Sequence, residues 1–484
     1  MINWKTIHKI IGALLGIETM LMMLCAAVAF YYGEDDTIAF VITIVLTMLS
    51  AIVLEYKGRK SDNSMSRKDS FLVVSLTWVI FSFFGMLPFL ISGYIPNITD
   101  AYFETMSGFT TTGATILDDV ERLPHGLLFW RSMTQWIGGL GIVFFTIAIL
   151  PSFVGGSVKV FAAEATGPMR SRLHPRLSTN AKWIWSIYLL LTVACAACYY
   201  VGGAHFFDSV NYAMCTTATG GFSPHNDSAE FFHSPFIEYI CILFCFLSSI
   251  NFSLLYLAVI KRRPGNLFKS TEFKFFLIIV ASFTLFIMAE LMMRNHYELE
   301  KAFRVALFQV VSFISTTGLF NDDAAKWPHI TWVLLAVCMF IGGCAGSTAG
   351  GFKCIRGVML IKVVRNQFKQ LLHPNAVLPL KIDGQNVEQQ KRVTLLAFLT
   401  VYLLICLVMS FVLIAAGIDS TNSITIILSC IGNVGPTLGI EIGPTMSWAE
   451  LPVFVKWICS FVMLVGRLEI FSVLIIFTPQ FWTK

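Results

Sequence analysis

Residues 104–117 read ETMSGFTTTGATIL. The stretch is too polar to cross a bilayer and too apolar for an ordinary surface loop. Its centre, Thr110-Thr111-Thr112-Gly113-Ala114-Thr115, is the pattern around which the chain is organised, because it recurs. Thr219-Gly220-Gly221-Phe222 follows YAMCTTA, Thr317-Gly318-Leu319-Phe320 follows QVVSFIST, and Val434-Gly435-Pro436-Thr437 follows LSCIGN. Roughly 100 residues separate successive copies, the long fixed period expected of a repeat architecture. Aligned on Gly113, Gly220, Gly318 and Gly435, the position nine residues earlier holds Glu104, Asn211 and Gln309, with Ile426 breaking the pattern. Six residues earlier stand Ser107, Met214, Ser312 and Ser429. Each copy predicts a short, half-buried helix that runs into an extended glycine-containing strand.

Composition sets the surroundings. Of 484 residues 56% are hydrophobic and only 13% charged, against about 25% charged in soluble proteins. The chain is therefore expected to be an all-α polytopic membrane protein rather than a string of soluble domains. The first apolar run is not followed by a small-residue cleavage site and reads as an uncleaved helix. The net charge of +5 points to no nucleic acid partner; it reflects Lys and Arg gathered on one side of a membrane. The twelve cysteines fall almost entirely in apolar runs, and Cys195-x-x-Cys198 lies mid-helix with no second pair nearby, so it reads as small residues in a helix.

Spans need about 20 apolar residues each. Two leading helices, 7–31 and 37–54, precede four units of helix, re-entrant loop and returning helix, pseudo-symmetric about one ion pore. The expected domain boundaries are 1–69 for the leading helices and their loop, 70–152 for unit 1, 153–263 for unit 2, 264–391 for unit 3 and 392–484 for unit 4. That makes ten spans, among them 235–260 and 452–477 as continuous helices. Most of the 34 Lys and Arg lie in the termini and the loops 55–70, 151–182, 261–274 and 353–392. The positive-inside rule places these, and both termini, in the cytoplasm, so the re-entrant copies open outward.

Non-helical backbone survives at membrane depth only where protein buries it or water bathes it. Four such strands facing one another could replace a cation's hydration shell with carbonyl oxygens. Glycine lets successive carbonyls face one axis because φ > 0 costs it little. The expected ligand set is Thr111, Thr112 and Gly113; Thr219 and Gly220; Thr316, Thr317 and Gly318; and Asn433, Val434 and Gly435, with the hydroxyls of Thr112, Thr219 and Thr317 adding oxygens. No carboxylate lies in these strands, which favours a monovalent ion. Asp100, Asp118, Asp119, Glu121, Asp227, Glu230, Asp322 and Asp323 are expected to crowd the mouth and concentrate cations.

Two further features suggest a gate. Gly342-Gly343-Cys344-Ala345-Gly346-Ser347-Thr348-Ala349-Gly350-Gly351 should break its helix near mid-membrane and form a flexible plug. Arg467 stands in the span ICSFVMLVGRLEIFSVLIIF, where a lone Arg is costly and faces a cavity or a partner; Glu469 lies on a different helix face. A close-packed face of small residues and a structural salt bridge are the plainer alternatives for these two features. Arg131 and Lys456 lie near span ends, where long side chains snorkel, and receive no role. Gly138-Gly139-x-Gly141 reads as helix packing.

The strands TTTGAT, ATGGFS, STTGLF and NVGPTLG, the run QWIGGLGIV, IGGCAGSTAGGFK, LLHPNAV and the final GRLEIFSVLIIFTPQFW together resemble the bacterial Trk potassium-uptake pore subunits of the Trk/Ktr/HKT superfamily, over essentially the whole chain. The resemblance implies a potassium-translocating homodimer in a bacterial inner membrane and a cytoplasmic ring partner that binds NAD or ATP. It implies filter glycines Gly113, Gly220, Gly318 and Gly435, and a gate made of the 342–351 loop (Gly342, Gly343, Gly346, Ser347, Thr348, Gly350, Gly351) with Arg467. In some plant relatives the first filter glycine is serine, which accompanies sodium transport; Gly113 favours potassium. Thr437 departs from the glycine that similar bacterial sequences often carry after the proline. Potassium is cargo, and no organic cofactor is expected in this chain, which lacks a phosphate-cradling GK[ST] loop. The basic segments 167–179 and 363–390 are candidate docking surfaces for the ring. A secondary transporter coupling potassium to protons or sodium is the alternative, with Glu104 and Glu469 as its intramembrane acids. A membrane enzyme would need paired His ligands, whereas His125, His174, His205 and His373 fall in loops or near span ends.

Overall fold

The computed structural model of the chain describes residues 2–61, 64–141, 177–376, 378–439, 443 and 445–483. Two long helices lead, α1 (Trp4–Tyr32) and α2 (Asp36–Gly58). Asn3 caps the first by accepting a hydrogen bond from the Thr6 N–H, and Gly33, at φ 70°, ends it. Both are apolar on nearly every face, as lipid-facing helices must be. α1 also packs on the first unit.

Four units follow. Unit 1 has α3 (Arg67–Gly85, continued by Leu87–Ser92), the re-entrant helix α4 (Ile98–Phe109) and the returning helix α5 (His125–Leu140). Unit 2 has α6 (Leu177–Val201), re-entrant α7 (Phe206–Ala218), and a returning helix in two pieces, α8 (Pro235–Ser248) and α9 (Phe252–Val259). Unit 3 has α10 (Thr271–Arg294), re-entrant α11 (Leu299–Ile314), and α12 (His329–Ile341), which resumes after the glycine-rich loop as α13 (Cys354–Leu372). Unit 4 has α14 (Gln389–Ala415), re-entrant α15 (Ser420–Gly432), and α16 (Val453–Arg467) followed by α17 (Phe471–Leu474).

Among the described residues six helices are long and apolar enough to cross a membrane, and two bent pairs bring the number to eight. The other two expected spans are α5, whose continuation lies outside the described residues, and the α12–α13 pair, interrupted by the loop. Continuous helices at 235–260 and 452–477 are not what forms. The chain turns by 107° between α8 and α9 and by 110° between α16 and the segment beginning at α17. At the first break Asn251 starts a new helix, its Oδ1 accepting the Ser253 N–H at 2.8 Å. At the second, Glu469 and Ile470 take φ of 54° and 55°, a left-handed conformation unfavourable for a β-branched residue and held here by tertiary contacts. Breaking the returning helix is thus shared by units 2, 3 and 4.

The basic segment expected as the loop 363–390 is instead largely ordered. α13 continues to Leu372, and a two-stranded hairpin follows, with Lys381 opposite Asn386 and Ile382 opposite Gln385. Asp383 and Gly384 turn it at φ 48° and 80°, the two-residue geometry that an Asp-Gly pair favours. Asp383 also accepts hydrogen bonds from the Thr271 N–H and hydroxyl at 2.7 Å, docking the hairpin on the start of α10.

Candidate functional site

The four re-entrant helices end alike. After each comes a residue with left-handed backbone: Thr111 (φ 53°), Thr219 (54°), Thr316 (58°) and Asn433 (53°). The next N–H reaches back five residues, from Thr112 to Ser107 O, Gly220 to Cys215 O, Thr317 to Ser312 O and Val434 to Ser429 O, at 2.9 to 3.0 Å. The residue after that is a glycine with φ of 83° (Gly113), 82° (Gly221), 79° (Gly318) or 98° (Gly435).

This repeated geometry sets the register of the copies and corrects one of them. Gly221, not Gly220, is the counterpart of Gly113; Gly220 stands level with Thr112, Thr317 and Val434. The tract Thr219-Gly220-Gly221 offers two glycines, and the helix end decides between them. The position nine residues earlier is then Tyr212 rather than Asn211, and the one six earlier is Cys215 rather than Met214.

The corrected register closes a ring. A Cβ on Gly113 would overlap the carbonyl oxygen of Gly220, one on Gly221 that of Thr317, one on Gly318 that of Val434, and one on Gly435 that of Thr112. Each copy's glycine therefore lies directly against the preceding carbonyl of the next copy, in the order 1, 2, 3, 4 and back to 1. A side chain at any of the four would break the ring and would also have to adopt positive φ. The C-terminal ends of α4, α7, α11 and α15, with their partial negative charge, all converge on it.

The threonine hydroxyls expected as ligands are engaged by protein groups. Thr112 Oγ1 lies 2.8 Å from Thr110 Oγ1 and accepts from Asn433 Nδ2 at 3.1 Å. Thr317 Oγ1 lies 2.7 Å from Ser315 Oγ. Thr219 donates to Ala218 O, one level below the ring carbonyls.

Above the ring a cavity of about 370 Å³ is floored by Gly113, Gly221, Gly318 and Gly435. Of the eight acids expected at its mouth only Asp118 lines it, joined by Glu450. The others are largely consumed by loop structure. Asp100 pairs with Lys456 at 2.6 Å and Glu121 with His225 at 3.1 Å. Asp119 caps the turn before Glu121 and accepts from Asn226. Asp322 accepts from Tyr297 and Trp327.

Three of the strands are braced from behind by the residue nine before the glycine, the fourth having the apolar Ile426 there. Glu104 accepts from the Thr115 hydroxyl at 2.9 Å and the Ile116 N–H at 3.0 Å, Tyr212 bonds Ser223 at 2.7 Å, and Gln309 donates to Asp322 O at 3.2 Å. Glu104 is also ion-paired with Arg131 at 2.8 Å, with side chains 0% and 3% exposed. Arg131 further donates to Ser223 O at 3.0 Å and stacks its guanidinium over Phe222. Four residues on, Gln135 bonds the second strand on both sides of Gly221. Gly138 and Gly139 let α5 approach the ends of α4 and α7, against Phe109 O and Ala218. Arg131 and Gln135 carried a usable signal: at i, i+4 on one helix, with Gly138 a further turn along, they form a single polar and small face.

Beneath the ring lies the loop of residues 342–353. It is less free than a flexible plug. Cys344 N–H bonds Ser249 O at 2.9 Å, Asn251 Nδ2 donates to Ala345 O at 2.7 Å, and Phe252 N–H to Gly346 O at 3.0 Å, so the break in unit 2 receives the loop of unit 3. Thr348 donates to Thr217 O and Ser248 O at 3.1 Å, and the Gly350 N–H to Thr316 Oγ1 at 2.7 Å. Glu272 Oε1 accepts from the Ala345 N–H at 2.6 Å and the Ile355 N–H at 3.1 Å, gripping both ends of the loop. Gly342, Gly346 and Gly351 take positive φ, whereas Gly343 makes room against Ala349 and Ser249; Ser347 Oγ donates to Cys344 O. Arg467 donates to Thr348 O at 3.0 Å and to Gly138 O and Gly139 O, joining the loop to the end of α5. Glu469 is held by Arg356, consistent with its placement away from Arg467. Among the buried acids that the sequence reading does not single out, Glu18 on α1 is 0% exposed, lies against Gly85, and neither carboxylate oxygen has a hydrogen-bond partner among the described residues.

Residues 37–484 match the family described as TrkH, cation transport protein. The Trk system potassium uptake protein TrkH of Escherichia coli is 36% identical, with all of both chains covered, and that of Halomonas elongata is 35% identical over 99% of each. TrkG of E. coli is 32% identical over 99% of this chain and 98% of its own. The crystal structure of the potassium transporter TrkH from Vibrio parahaemolyticus superposes with a TM-score of 0.90 at 35% identity, covering both chains entirely. Full-length similarity of sequence, together with the same multi-pass helical fold, makes this chain a member of the TrkH cation transport family.

Proposed function

We propose that the chain is a gated, channel-like potassium-uptake pore of a bacterial inner membrane, with both termini in the cytoplasm. The closed ring of carbonyls and positive-φ glycines carries this reading. Four backbone oxygens, set at the ends of four helix dipoles and below an aqueous cavity, form a site for a weakly hydrated monovalent cation. The names of the relatives at 32–36% identity supply the ion. The loop of residues 342–353 and Arg467 then act as the gate on the cytoplasmic side of the ring. A homodimer embedded in membrane lipid and regulated by a cytoplasmic NAD- or ATP-binding ring completes the proposal; exposed Phe368 and Leu371 beside the basic Arg365 and Lys369 on α13 are the described surface suited to it. The other candidate docking segment, 167–179, falls almost wholly outside the described residues. Proton coupling through Glu104 or Glu469 finds both acids already committed to Arg131 and Arg356.

The test is growth of an uptake-deficient bacterial strain at low potassium, with rubidium and sodium flux followed in the same cells. The wild-type chain should rescue growth, pass rubidium and exclude sodium. Gly113→Ser, and by the corrected register Gly221→Ser, should let sodium compete. Unchanged ion preference in well-expressed serine variants would overturn the ring as the selective element.

A further inference from the structure

The four copies are not chemically equal at the ring, and the inequality is in the second. Three ring carbonyls belong to β-branched residues, Thr112, Thr317 and Val434, whose side chains restrict the backbone beside the positive-φ glycine. The fourth belongs to Gly220, so the second strand is a Gly-Gly pair, intrinsically the loosest of the four. Gly220 does not need to be glycine for its dihedral angles, since its φ is not positive. It needs to be glycine for space, because a Cβ there would collide with the amide carbon of Gln135.

Gln135 occupies the place of the missing side chain. Its Nε2 donates to Gly220 O at 2.7 Å and its Oε1 accepts the Phe222 N–H at 3.0 Å. The residue is 0% exposed, and the two bonds of opposite sense fix which end of the amide is which. The clamp spans Gly221 and so holds the peptide units on both sides of the positive-φ glycine. Among the described residues, Gly220 O is the one ring oxygen that accepts a hydrogen bond from the protein.

We infer that Gln135 is a specificity-determining positioning residue, holding the second ring carbonyl as β-branched side chains do in the other three copies. The inference rests on the pore reading. Its consequence is a ring of three free oxygens and one shared oxygen. At the shared oxygen the Gln135 Nε2–H competes with the ion for the carbonyl lone pairs, which favours release over tight capture; the clamp also denies a smaller ion the inward rotation of the Gly220 carbonyl that would fit it.

The experiment compares rubidium and sodium flux, at saturating and limiting concentrations, in the full-length chain in cells. Gln135→Met, of similar length without the hydrogen bonds, should lower rubidium-over-sodium selectivity about threefold to tenfold, the worth of one or two net hydrogen bonds, while changing maximal rubidium flux less. Gln135→Glu has the same size and decides the matter should the methionine variant not accumulate; its carboxylate faces Gly220 O and should lose at least as much. In a Gln135→Ala background, Gly220→Thr rebuilds the β-branched arrangement and should recover part of the lost selectivity, which a general packing role would not produce. Wild-type selectivity in accumulating Gln135→Met or Gln135→Glu overturns the inference, as does a Gly220→Thr change that recovers nothing. Gly113→Ser run in parallel separates the levels. If it leaves selectivity unchanged, the pore reading fails; if it shifts selectivity and the Gln135 variants do not, only the role of Gln135 fails.

Discussion

The buried pair Glu104–Arg131 offers the sharpest energetic test of how the ring is braced. Its side chains are 0% and 3% exposed and meet at 2.8 Å. The carboxylate also accepts from the Thr115 hydroxyl and the Ile116 N–H, and the guanidinium donates to Ser223 O, so the pair ties strand 1 to strand 2. Arg131→Met would leave Glu104 as a desolvated anion with two neutral donors; Glu104→Gln would leave Arg131 as a desolvated cation. Breaking a buried pair by removing one partner costs about 3–5 kcal/mol. The double variant removes both charges, and replacing a buried pair by neutral groups of similar volume is often close to neutral. Each single variant should therefore be more damaging than the double. Thermal unfolding of the detergent-purified chain measures the stability difference, and rubidium flux reports whether strands 1 and 2 stay aligned. Single variants within about 0.5 kcal/mol of wild type, the usual size of surface changes, would refute the brace. A double variant whose loss equals the sum of the singles would refute the coupling.

Two further outcomes are expected. Arg467→Ala removes the donor to Thr348 O at 3.0 Å, a charge-assisted bond worth about 1.5–3 kcal/mol, so the ratio of closed to open loop should fall by about 10- to 150-fold and rubidium uptake without the ring partner should rise. Arg467→Gln should lie between; flux that does not rise in an Arg467→Ala variant of wild-type melting temperature would favour a purely structural role. His225 sits between Glu121 at 3.1 Å and Asp208 at 3.3 Å, stacked on Phe231. Burial lowers its proton affinity, but Asp208 and then Glu121 outweigh this and raise the pKa above the ordinary imidazole value. The charged form is thus favoured in the fold. Its contribution is complete below the ordinary pKa of about 6.5 and is lost as external pH rises through the raised one. Thermal stability should fall across that window in wild type and lose this step in His225→Gln, and an identical pH profile in the variant would remove His225 from the account.

The repeat was legible because period, apolar flanks and a Thr-Gly or Val-Gly pair survive in all four copies. Even its one misalignment has a local cause: of two adjacent glycines, only the position of the helix end tells which takes positive φ, and that is read from Thr219 at φ 54° rather than from composition. The helix breaks at 249–251 and 468–470 were not legible for a different reason. Neither segment contains a glycine or proline, and hydropathy runs through both. The first breaks where the carbonyls of Ser248 and Ser249 and the amide of Asn251 bond the loop of residues 342–353, a demand that arises some 90 residues away in sequence; the second breaks just after Arg467, whose guanidinium reaches Thr348 O of the same loop. The acids show the converse error. Eight carboxylates near the mouth suggested an electrostatic funnel, yet most hold loops together, and a count of charges cannot tell an anion that faces the ion from one already paired. Arg131 joins the two lessons. Near a span end it reads as a snorkelling side chain, but its spacing to Gln135 puts both on one face, and that face supports strands 1 and 2, of which the second is the one whose adjacent glycines leave the register open. The glycine-to-carbonyl contact that closes the ring is repeated four times in this chain, whereas the side chains that brace neighbouring copies, Arg131 and Gln135 on the second strand and Asn433 on Thr112, are each unique to a pair of copies; the first is written as a period, the second only as single residues without a period to betray them.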